Sequence, residues 1–449
     1  MRIIELRIST QSPLPNQSLA LSMTTQTPHS VLCEISSPQA AIDAVCARVI
    51  SVPTETIALA NSCGRVLAKT LFADRDSPAL DLSSMDGFAI KISDLAIISS
   101  ATGLPVATTS TQGDHEARIG HSPIEMPVAH AVRIVTGAPI PLGSDAVVRH
   151  EDVSRVGDRV RLAIDPASIK NGANIRRQGE NAKSGAQIAP AGLMISAATI
   201  GALASFGVSQ IQVHRRVRVA IVITGDELVS IDGNVQPWQV RDSNGPVLQA
   251  LLGTRAWIEI ISCARAVDDV DSLTATLALA MKSSDAVILT GGVSMGHRDF
   301  VPQVVGKLGA ETIFHKLPQR PGRPMMAAVR PATASNAPCL ILGLPGNPIS
   351  VMTTARRLGI PMLGAIAGLS RLALAPAKRV LASDDHSTLG MWWFRLVGER
   401  LGADCCSELY LLGGKSSGDV ATAATSVGFV EIAPGKSTNG TQDFYAWAE

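Results

Sequence analysis

Apolar residues in the second half of the chain occur in two alternating patterns. Short continuous apolar runs predict buried strands at 217–223, 257–263 and 286–290, and apolar residues three or four apart predict helices at 247–252 and 270–281. A further helix and strand follow, then strands near 325–329 and 339–342 and a helix after Pro348. This alternation predicts a doubly wound α/β domain that spans about 215–365.

The first half of the chain has a different pattern. Ser37 followed by Pro38, with apolar residues at helical spacing behind them, predicts the start of a helix, and segments 57–71 and 196–206 are also predicted to be helical. Between about 80 and 165, short runs rich in Val, Ile and Thr are separated by Gly and Pro, and 131–135 and 146–150 are typical of strands. This region therefore predicts a small β domain.

Composition narrows the functional class. The 449 residues carry a net charge of +1 and 3% of them are aromatic, so neither a basic groove nor a base-stacking surface for nucleic acid is predicted. The apolar stretches fall short of the ~18 residues of a transmembrane helix, and the seven cysteines are scattered. The sequence favours a cytoplasmic protein, and residues 1–30 predict a mobile extension because they are rich in Ser, Thr, Gln and Pro.

Four loops of the predicted α/β domain carry polar residues at the positions where such folds bind ligands. Ligands bind beyond the carboxyl ends of the strands, and three of the loops follow predicted strands while one precedes a helix. The loops are Thr224-Gly225-Asp226-Glu227-Leu228, Arg241-Asp242-Ser243-Asn244-Gly245-Pro246, Gly291-Gly292-Val293-Ser294-Met295-Gly296 and Gly343-Leu344-Pro345-Gly346-Asn347-Pro348. We expect them to form one site.

The uncharged residues in these loops suit an anion. Glycines let backbone N–H groups approach an anion, and Ser and Asn side chains can donate at the same rim. The residues with these roles are Gly291, Gly292, Gly296, Ser243, Asn244 and Ser294. Asn347 is predicted to cap a helix that begins at Pro348, so that a helix N-terminus also faces the site. A phosphate or oxyanion site is therefore predicted.

Charged residues complete the predicted chemistry. Carboxylates suit Mg²⁺, which usually takes one or two of them together with substrate phosphates, and Arg and Lys suit a phosphate or a tetrahedral oxyanion. The carboxylates are Asp226, Glu227, Asp242 and Asp299, and the cations are Lys316, Arg320 and Arg323. The loop at 291–296 has Walker A glycine spacing but continues with His297-Arg298, which disfavours a standard ATPase.

Seven motifs occur in a fixed order along the chain. They are Ser84-Met85-Asp86-Gly87-Phe88-Ala89, Thr136-Gly137-Ala138-Pro139-Ile140-Pro141, Thr224-Gly225-Asp226-Glu227-Leu228, Asp242-Ser243-Asn244, residues 291–296, Arg320-Pro321-Gly322-Arg323-Pro324 and residues 344–348. In this order they resemble the molybdopterin molybdenumtransferases (MoeA type), a family that includes the corresponding halves of gephyrin and of the plant cofactor-synthesis protein. The resemblance covers residues 38–370 and continues more weakly to the end.

The resemblance implies an α/β multidomain fold. Its parts would be an elongated α+β N-terminal domain (31–80 with 166–213), an inserted small β domain (81–165), a central MogA-like α/β domain (214–368) and a C-terminal β barrel (369–449). In the barrel, the Trp392-Trp393 pair is predicted to be core. The resemblance also implies a homodimer whose site lies where the α/β domain of one subunit faces the small β domain of the other.

The implied activity is Mg²⁺-dependent insertion of molybdate into adenylylated molybdopterin, with loss of AMP. Its implied acidic residues are Asp86, Glu180, Asp226 and Asp299, its oxyanion donors are Lys316 and Arg320, and its pocket wall is Pro345, Asn347 and Pro348. Thr136, Arg323 and Gly346 are further predicted binding residues, and Arg323 is assigned to molybdate together with Lys316 and Arg320. Mg²⁺ is assigned to Asp226, Glu227 and Asp242. The adenylyltransferase and recipient molybdoenzymes are the implied protein partners.

Two other functions stay open at this stage. The same α/β domain occurs in molybdopterin adenylyltransferases, which use ATP, although the motifs around Asp86 and Thr136 belong to the additional domains. A non-catalytic molybdopterin-binding scaffold is the other alternative. Arginines stand at 320 and 323, where family members often have lysines, so the sequence leaves the choice between molybdate and tungstate open.

Overall fold

The structure is a computed structural model that describes residues 35–108, 115–294, 299–334, 336–370, 375–383, 385–402 and 405–448. The predicted extension at residues 1–30 lies outside these ranges. None of the helices within them is long and apolar enough to cross a membrane.

The N-terminal part is built from short strands and short helices. In chain order the elements are α1 (Pro38–Cys46), β1 (Thr54–Ala58), β2 (Leu71–Phe72), β3 (Leu82–Ser83), β4 (Gly87–Ile90), α2 (Leu95–Ile98), β5 (Leu104–Pro105), β6 (Glu116–Ala117), β7 (Val132–Ile134), β8 (Ala146–Arg149), β9 (Val153–Val156), β10 (Arg159–Leu162), β11 (Ile175–Arg176), β12 (Gln187–Ala189), α3 (Ala197–Ser205) and β13 (Gln210–His214). The predicted helix starts are confirmed, since the Ser37 hydroxyl caps α1 and Ser196 forms a capping box at α3.

The segment 57–71, predicted to be helical, is not a helix. Its first residues belong to β1, which pairs with β13 in antiparallel register and places Ile57 opposite Ile211. A 3₁₀ turn follows at Leu59–Asn61, and Gly64 then takes a φ of +73°. Pairing with a strand about 150 residues away along the chain therefore overrides the local apolar spacing.

The central part alternates strands and helices as predicted. Its elements are β14 (Val217–Thr224), β15 (Leu228–Val229), β16 (Val240–Arg241), α4 (Asn244–Gly253), β17 (Ile258–Ala266), α5 (Val270–Ser283), β18 (Ala286–Thr290), α6 (Val301–Lys307), β19 (Glu311–His315), β20 (Gln319–Arg320), β21 (Met326–Arg330), β22 (Cys339–Leu344), α7 (Pro348–Thr354) and α8 (Ile360–Ile366). A π-helical segment, Ala355–Gly359, joins α7 to α8.

The central sheet has the strand order β17-β14-β18-β22-β21-β19 within the described residues. Neighbours from β17 to β22 are parallel, whereas β21 runs antiparallel to both β22 and β19. The strands β14, β18, β22 and β19 therefore end at the same edge, which we call the carboxyl edge. Helices α1, α4, α7 and α8 cover one face of the sheet and α5 and α6 cover the other, so the doubly wound domain is confirmed.

The C-terminal part is a closed barrel, as predicted. Its elements are β23 (Ala377–Leu381), β24 (Trp392–Leu401), β25 (Ser407–Leu411), α9 (Val420–Ala424), β26 (Gly428–Ile432) and β27 (Gly440–Ala446). The strands follow the order β24-β25-β23-β27-β26, and β26 pairs back with β24. The short strand β20 of the central part adds to β24, with Arg320 opposite Trp393. The predicted fold class is confirmed, while the exact domain boundaries stay a prediction.

A buried ion pair joins the central part to the barrel. Arg357 lies in the π-helical segment and donates to the carboxylate of Glu431 in β26, and these side chains are only 7% and 4% exposed. The guanidinium carbon of Arg357 also lies 5.3 Å from the centre of the Tyr445 ring. Because a buried charge without its partner is costly, this contact makes the docking of the barrel sensitive to one residue.

We expect Glu431→Ala to lower the free energy of unfolding by about 3–5 kcal/mol, because it leaves the Arg357 charge buried and unpaired. Urea denaturation followed by tryptophan fluorescence measures this change. The matched control is Glu408→Ala, since Glu408 pairs with Arg400 at 3.7 Å on the barrel surface; its loss should cost less than about 1 kcal/mol. Equal effects of the two substitutions would contradict the prediction.

Candidate functional site

The four predicted loops meet at the carboxyl edge of the central sheet. The backbone N–H of Gly291 donates to the carbonyl of Leu344 at 3.2 Å. The amide of Asn244 donates to the Gly346 carbonyl at 2.8 Å and lies 3.5 Å from the Thr290 hydroxyl. Since β14, β18 and β22 are adjacent and parallel, loops separated by up to about 120 residues become neighbours.

The turn after β18, residues 291–294, depends on its two glycines. Gly291 and Gly292 have φ values of +90° and +64°, which favour glycine. A Cβ on Gly291 would also lie 2.6 Å from the Thr224 carbonyl oxygen, so a side chain there would collide with the neighbouring loop. Ser294 is exposed at the end of this glycine turn, and Gly296 lies outside the described residues.

The carboxylates at this edge are held by backbone N–H groups. Asp226 accepts a hydrogen bond from the backbone N–H of Asp268 at 3.1 Å. Asp242 accepts one from the N–H of Gly245 at 3.0 Å, at the start of α4. Glu227 follows Asp226 directly, and both are exposed. Their negative charge therefore faces the space above the carboxyl edge.

Asp268 belongs to this group, although the sequence analysis did not identify it. Burial raises the pKa of the Asp268 carboxyl, and the charges of Asp226 and Glu227 raise it further. Asp268 lies just beyond β17, the parallel neighbour of β14. The loop after the second strand of a parallel sheet was the signal that could have identified it.

The basic loop, residues 316–324, folds back on itself beside the carboxyl edge. The N–H of Lys316 donates to the Met325 carbonyl at 2.8 Å, and the N–H of Leu317 donates to that of Arg323 at 2.9 Å. Lys316 has a φ of +76°, which is uncommon for a residue with a side chain. Lys316, Arg320 and Arg323 are all exposed, so this loop presents three cationic side chains to solvent.

A cavity of about 690 Å³ lies between the basic loop and the barrel. The central part contributes Arg320, Arg323, Pro345 and Asn347 to its wall, and the barrel contributes Trp393, Arg395, Lys415, Ser416 and Ser417. Sequence reasoning missed the barrel residues. It had placed the tryptophan pair in the core, but Trp393 also lines this cavity and stacks under Arg395, whose guanidinium carbon is 4.3 Å from the ring centre.

Asn347 does not act as predicted. It stands at the N-cap of α7, but its side-chain amide donates to the Ser417 hydroxyl at 2.8 Å in place of a capping bond. Because Pro348 in the first turn has no N–H, one backbone donor fewer at the helix start requires an acceptor. The Asn347 amide instead ties the central part to the barrel across the cavity wall.

Asp86, Thr136 and Glu180 lie outside the central sheet, in turns next to the small sheets of the N-terminal part. Asp86 accepts from the backbone N–H of Thr136 at 2.6 Å and from its hydroxyl at 2.9 Å, and these bonds lower the pKa of the Asp86 carboxyl. Hydrogen bonds from Arg176 and from the Arg177 N–H lower the pKa of Glu180 in the same way. Asp299 is half-buried just before α6.

Two family models match the chain. The MoeA N-terminal region (domain I and II) matches residues 36–207, and a probable molybdopterin binding domain matches residues 220–365. These ranges contain the small sheets with Asp86 and the central sheet with Asp226.

Curated relatives and a solved structure agree with these matches. Molybdopterin molybdenumtransferases from Nostoc sp. and Haemophilus influenzae are 36% and 31% identical over 319 and 331 residues, which are 71% and 74% of this chain and 70% and 77% of theirs. A molybdopterin biosynthesis MoeA protein from Pyrococcus horikoshii has a TM-score of 0.70 at 24% identity, over 92% of this chain and 99% of its own. That structure supports the fold.

We expect Asp268→Asn to raise the midpoint of thermal unfolding at pH 7. The folded-state pKa of Asp268 is raised above its ordinary value of 3.8, so its favourable contribution is complete below that pH and is lost as the pH rises through the folded pKa. The difference in unfolding midpoint between Asp268→Asn and wild type should therefore disappear below about pH 4. A midpoint at or below the wild-type value at pH 7 would contradict this.

Asp86→Asn is the control, and its effect on the midpoint of thermal unfolding should have the opposite sign. Because the pKa of Asp86 is lowered, its contribution is present above the ordinary pKa and is lost in acid. This variant should be less stable than wild type at pH 7.

Proposed function

Because the chain belongs to the molybdopterin molybdenumtransferase family, we propose that it inserts molybdenum from molybdate into adenylylated molybdopterin and releases AMP, with Mg²⁺ as cofactor. Membership itself makes the protein an enzyme of molybdenum cofactor biosynthesis. The proposed reaction rests mainly on one observation, which is that the loop 343–348 borders both a basic cavity and an acidic edge of the central sheet. Pro345 and Asn347 line the cavity. The carbonyl groups of Leu344 and Gly346 accept hydrogen bonds from Gly291 and Asn244 in the neighbouring loops at the carboxyl edge.

The cavity suits molybdate. Arg320, Arg323, Arg395 and Lys415 surround it from two parts of the chain, and Ser416 and Ser417 add hydroxyl donors. Guanidinium groups can each give two parallel hydrogen bonds to an oxyanion, which a tetrahedral dianion accepts on several oxygens. We assign molybdate to these cations, with Lys316 at the end of β19 as a further donor.

The carboxylates suit a Mg²⁺ ion that substrate phosphates help to hold. Within the described residues, no three His, Cys, Asp or Glu side chains are arranged to bind a metal ion by themselves. Mg²⁺ commonly needs only one or two carboxylates when a phosphate is present. Burial is the main cause of the raised pKa of Asp268, and the neighbouring charges of Asp226 and Glu227 add to it, so a cation bound here would relieve the repulsion among these carboxylates.

We therefore propose that Asp226 and Glu227, with Asp242, hold Mg²⁺, and that Asp268 supports them. When bound, the ion would neutralise charge on the pyrophosphate. Of the two oxygens of Asp242, Oδ1 is held by Gly245, which fixes the direction of the carboxylate.

The remaining residues would position the substrate. The glycine turn and Ser294 would hold the terminal phosphate of the pterin, with Gly292 allowing the close approach of the backbone. Ser243 and Asn244 border the same rim, and the buried Oδ1 of Asn244 has no hydrogen-bond partner among the described residues, so it could accept from a ligand N–H. Asp299 would contribute a further acidic group at the start of α6.

The two alternatives predict different products in one assay. The protein is incubated with adenylylated molybdopterin, Mg²⁺ and molybdate, and AMP and active cofactor are measured. Their joint appearance, lost when Mg²⁺ is chelated, is the expected result. In a parallel incubation with molybdopterin, Mg²⁺ and ATP, consumption of ATP would instead favour adenylyl transfer, although the match of residues 36–207 to the MoeA N-terminal region argues against it. Binding of molybdopterin without turnover would favour a scaffold.

We also propose that Asp86, Thr136 and Glu180 reach the site of a second subunit in a homodimer. Their place in turns beside the small N-terminal sheets, outside the central sheet, motivates this arrangement. Asp86→Ala and Asp226→Ala proteins should each fail to release AMP. If the site is shared, dissociating and reassociating a mixture of the two should restore AMP release, because one of the two sites in a mixed dimer is intact.

The measurement is AMP release before and after mixing, with the molecular mass followed by light scattering. A mass of one chain, 46.9 kDa, would exclude the shared site. A dimeric mixture that stays inactive would show that Asp86 and Asp226 serve the same subunit.

A further inference from the structure

His315 connects the glycine turn to the strand that leads into the basic loop. Its ring Nε2 lies 2.7 Å from the backbone carbonyl oxygen of Val293. His315 is the last residue of β19, which lies at the edge of the sheet, while Val293 follows β18. Since β22 and β21 lie between these strands, the glycine turn and the His315 side chain together bridge the ends of two strands.

Other contacts of the glycine turn within the described residues go to β22 and to the start of α6, where the Val301 N–H donates to the Gly292 carbonyl at 3.3 Å. Gly291 bonds to Leu344, and the Val293 side chain is buried beside Gly343, where an added Cβ would lie 2.7 Å from Val293 Cγ1. The Val293 carbonyl is instead bound by His315. Ser294, the next residue, is exposed. The imidazole therefore fixes the turn just before its exposed hydroxyl.

The residue after His315 is Lys316, whose direction is also constrained. Its φ of +76° and the hydrogen bond from its N–H to Met325 fix the backbone from which the ammonium group extends. One side chain thus connects the glycine turn after β18 to the cation that follows β19. No other side-chain hydrogen bond between the turn at 291–294 and residues 311–316 occurs within the described residues.

We infer that His315 is a positioning residue that sets the separation between the glycine turn and Lys316. This inference rests on the proposed function, in which the turn holds the pterin phosphate and Lys316 contacts molybdate. In that reaction the two anions must lie at a defined distance, and a small misplacement of bound groups lowers the rate of a step between them. His315 acts through the turn and Lys316 and does not itself touch substrate.

The test compares His315→Phe, which keeps a ring but has no donor, with His315→Gln, whose amide can donate to the Val293 carbonyl. His130→Phe is the matched control, because Nδ1 of His130 also lies 2.7 Å from a backbone carbonyl oxygen, that of Val128, but in the N-terminal part. Thermal unfolding confirms that each variant is folded.

Two quantities are measured. The rate of molybdenum insertion at saturating substrate should fall about tenfold in His315→Phe, recover in His315→Gln and stay unchanged in His130→Phe. The dissociation constant of molybdopterin is determined with and without molybdate. Molybdate should change it in wild type and in His315→Gln but not in His315→Phe, because coupling between two sites needs a fixed geometry between them.

The inference is overturned if His315→Phe inserts molybdenum at the wild-type rate, or if His315→Gln is as slow as His315→Phe. The binding measurement does not depend on turnover. If the wild-type protein releases no AMP, the proposed function fails, and the effect of molybdate on molybdopterin binding alone decides the role of His315. An equal effect of molybdate in wild type and His315→Phe then contradicts it.

Discussion

The close approach of Gly291 to the carbonyl of Thr224 is the contact on which the rest of the site depends. It allows the turns after β18 and β14 to lie side by side, and the Gly291 N–H then bonds to the end of β22. Parallel neighbouring strands end at one edge, so carboxylates and glycines that are far apart in the chain share one surface. A side chain at position 291 would separate these loops before it touched any substrate.

The barrel supplies the other half of the site. Strand β20 extends from the central part onto β24, Asn347 bonds to Ser417, and Arg357 pairs with Glu431 behind them. These contacts bring Arg395 and Lys415 opposite Arg320 and Arg323. The positive side of the site thus depends on docking between two parts of the chain, whereas its negative side is built within the central sheet. A buried ion pair between these parts gives the docking a defined geometry.

The sequence could predict the central sheet and its loops, because their apolar runs and glycines are local signals. It could not predict that Arg395 comes close to Arg320, since this depends on the pairing of β20 with β24 some 70 residues later, nor that Lys415 lines the same cavity. Segment 57–71 was misassigned for the same reason, as its partner strand lies far along the chain. Asn347 is a residue type that often caps helices, but its side-chain amide donates instead to the hydroxyl of Ser417 in the barrel. Asp268 could have been predicted, because it follows a parallel strand and ligands bind beyond the carboxyl ends of such strands.

We propose that molybdate binds between the basic loop and the barrel, apart from the carboxylates at the sheet edge. Crystals of the protein soaked with molybdate, measured on both sides of the molybdenum absorption edge, test this directly. We expect an anomalous difference peak within hydrogen-bonding distance of Arg320, Arg395 or Lys415. A peak that lies instead only beside Asp226 and Asp268, or only on the outer surface, would contradict it.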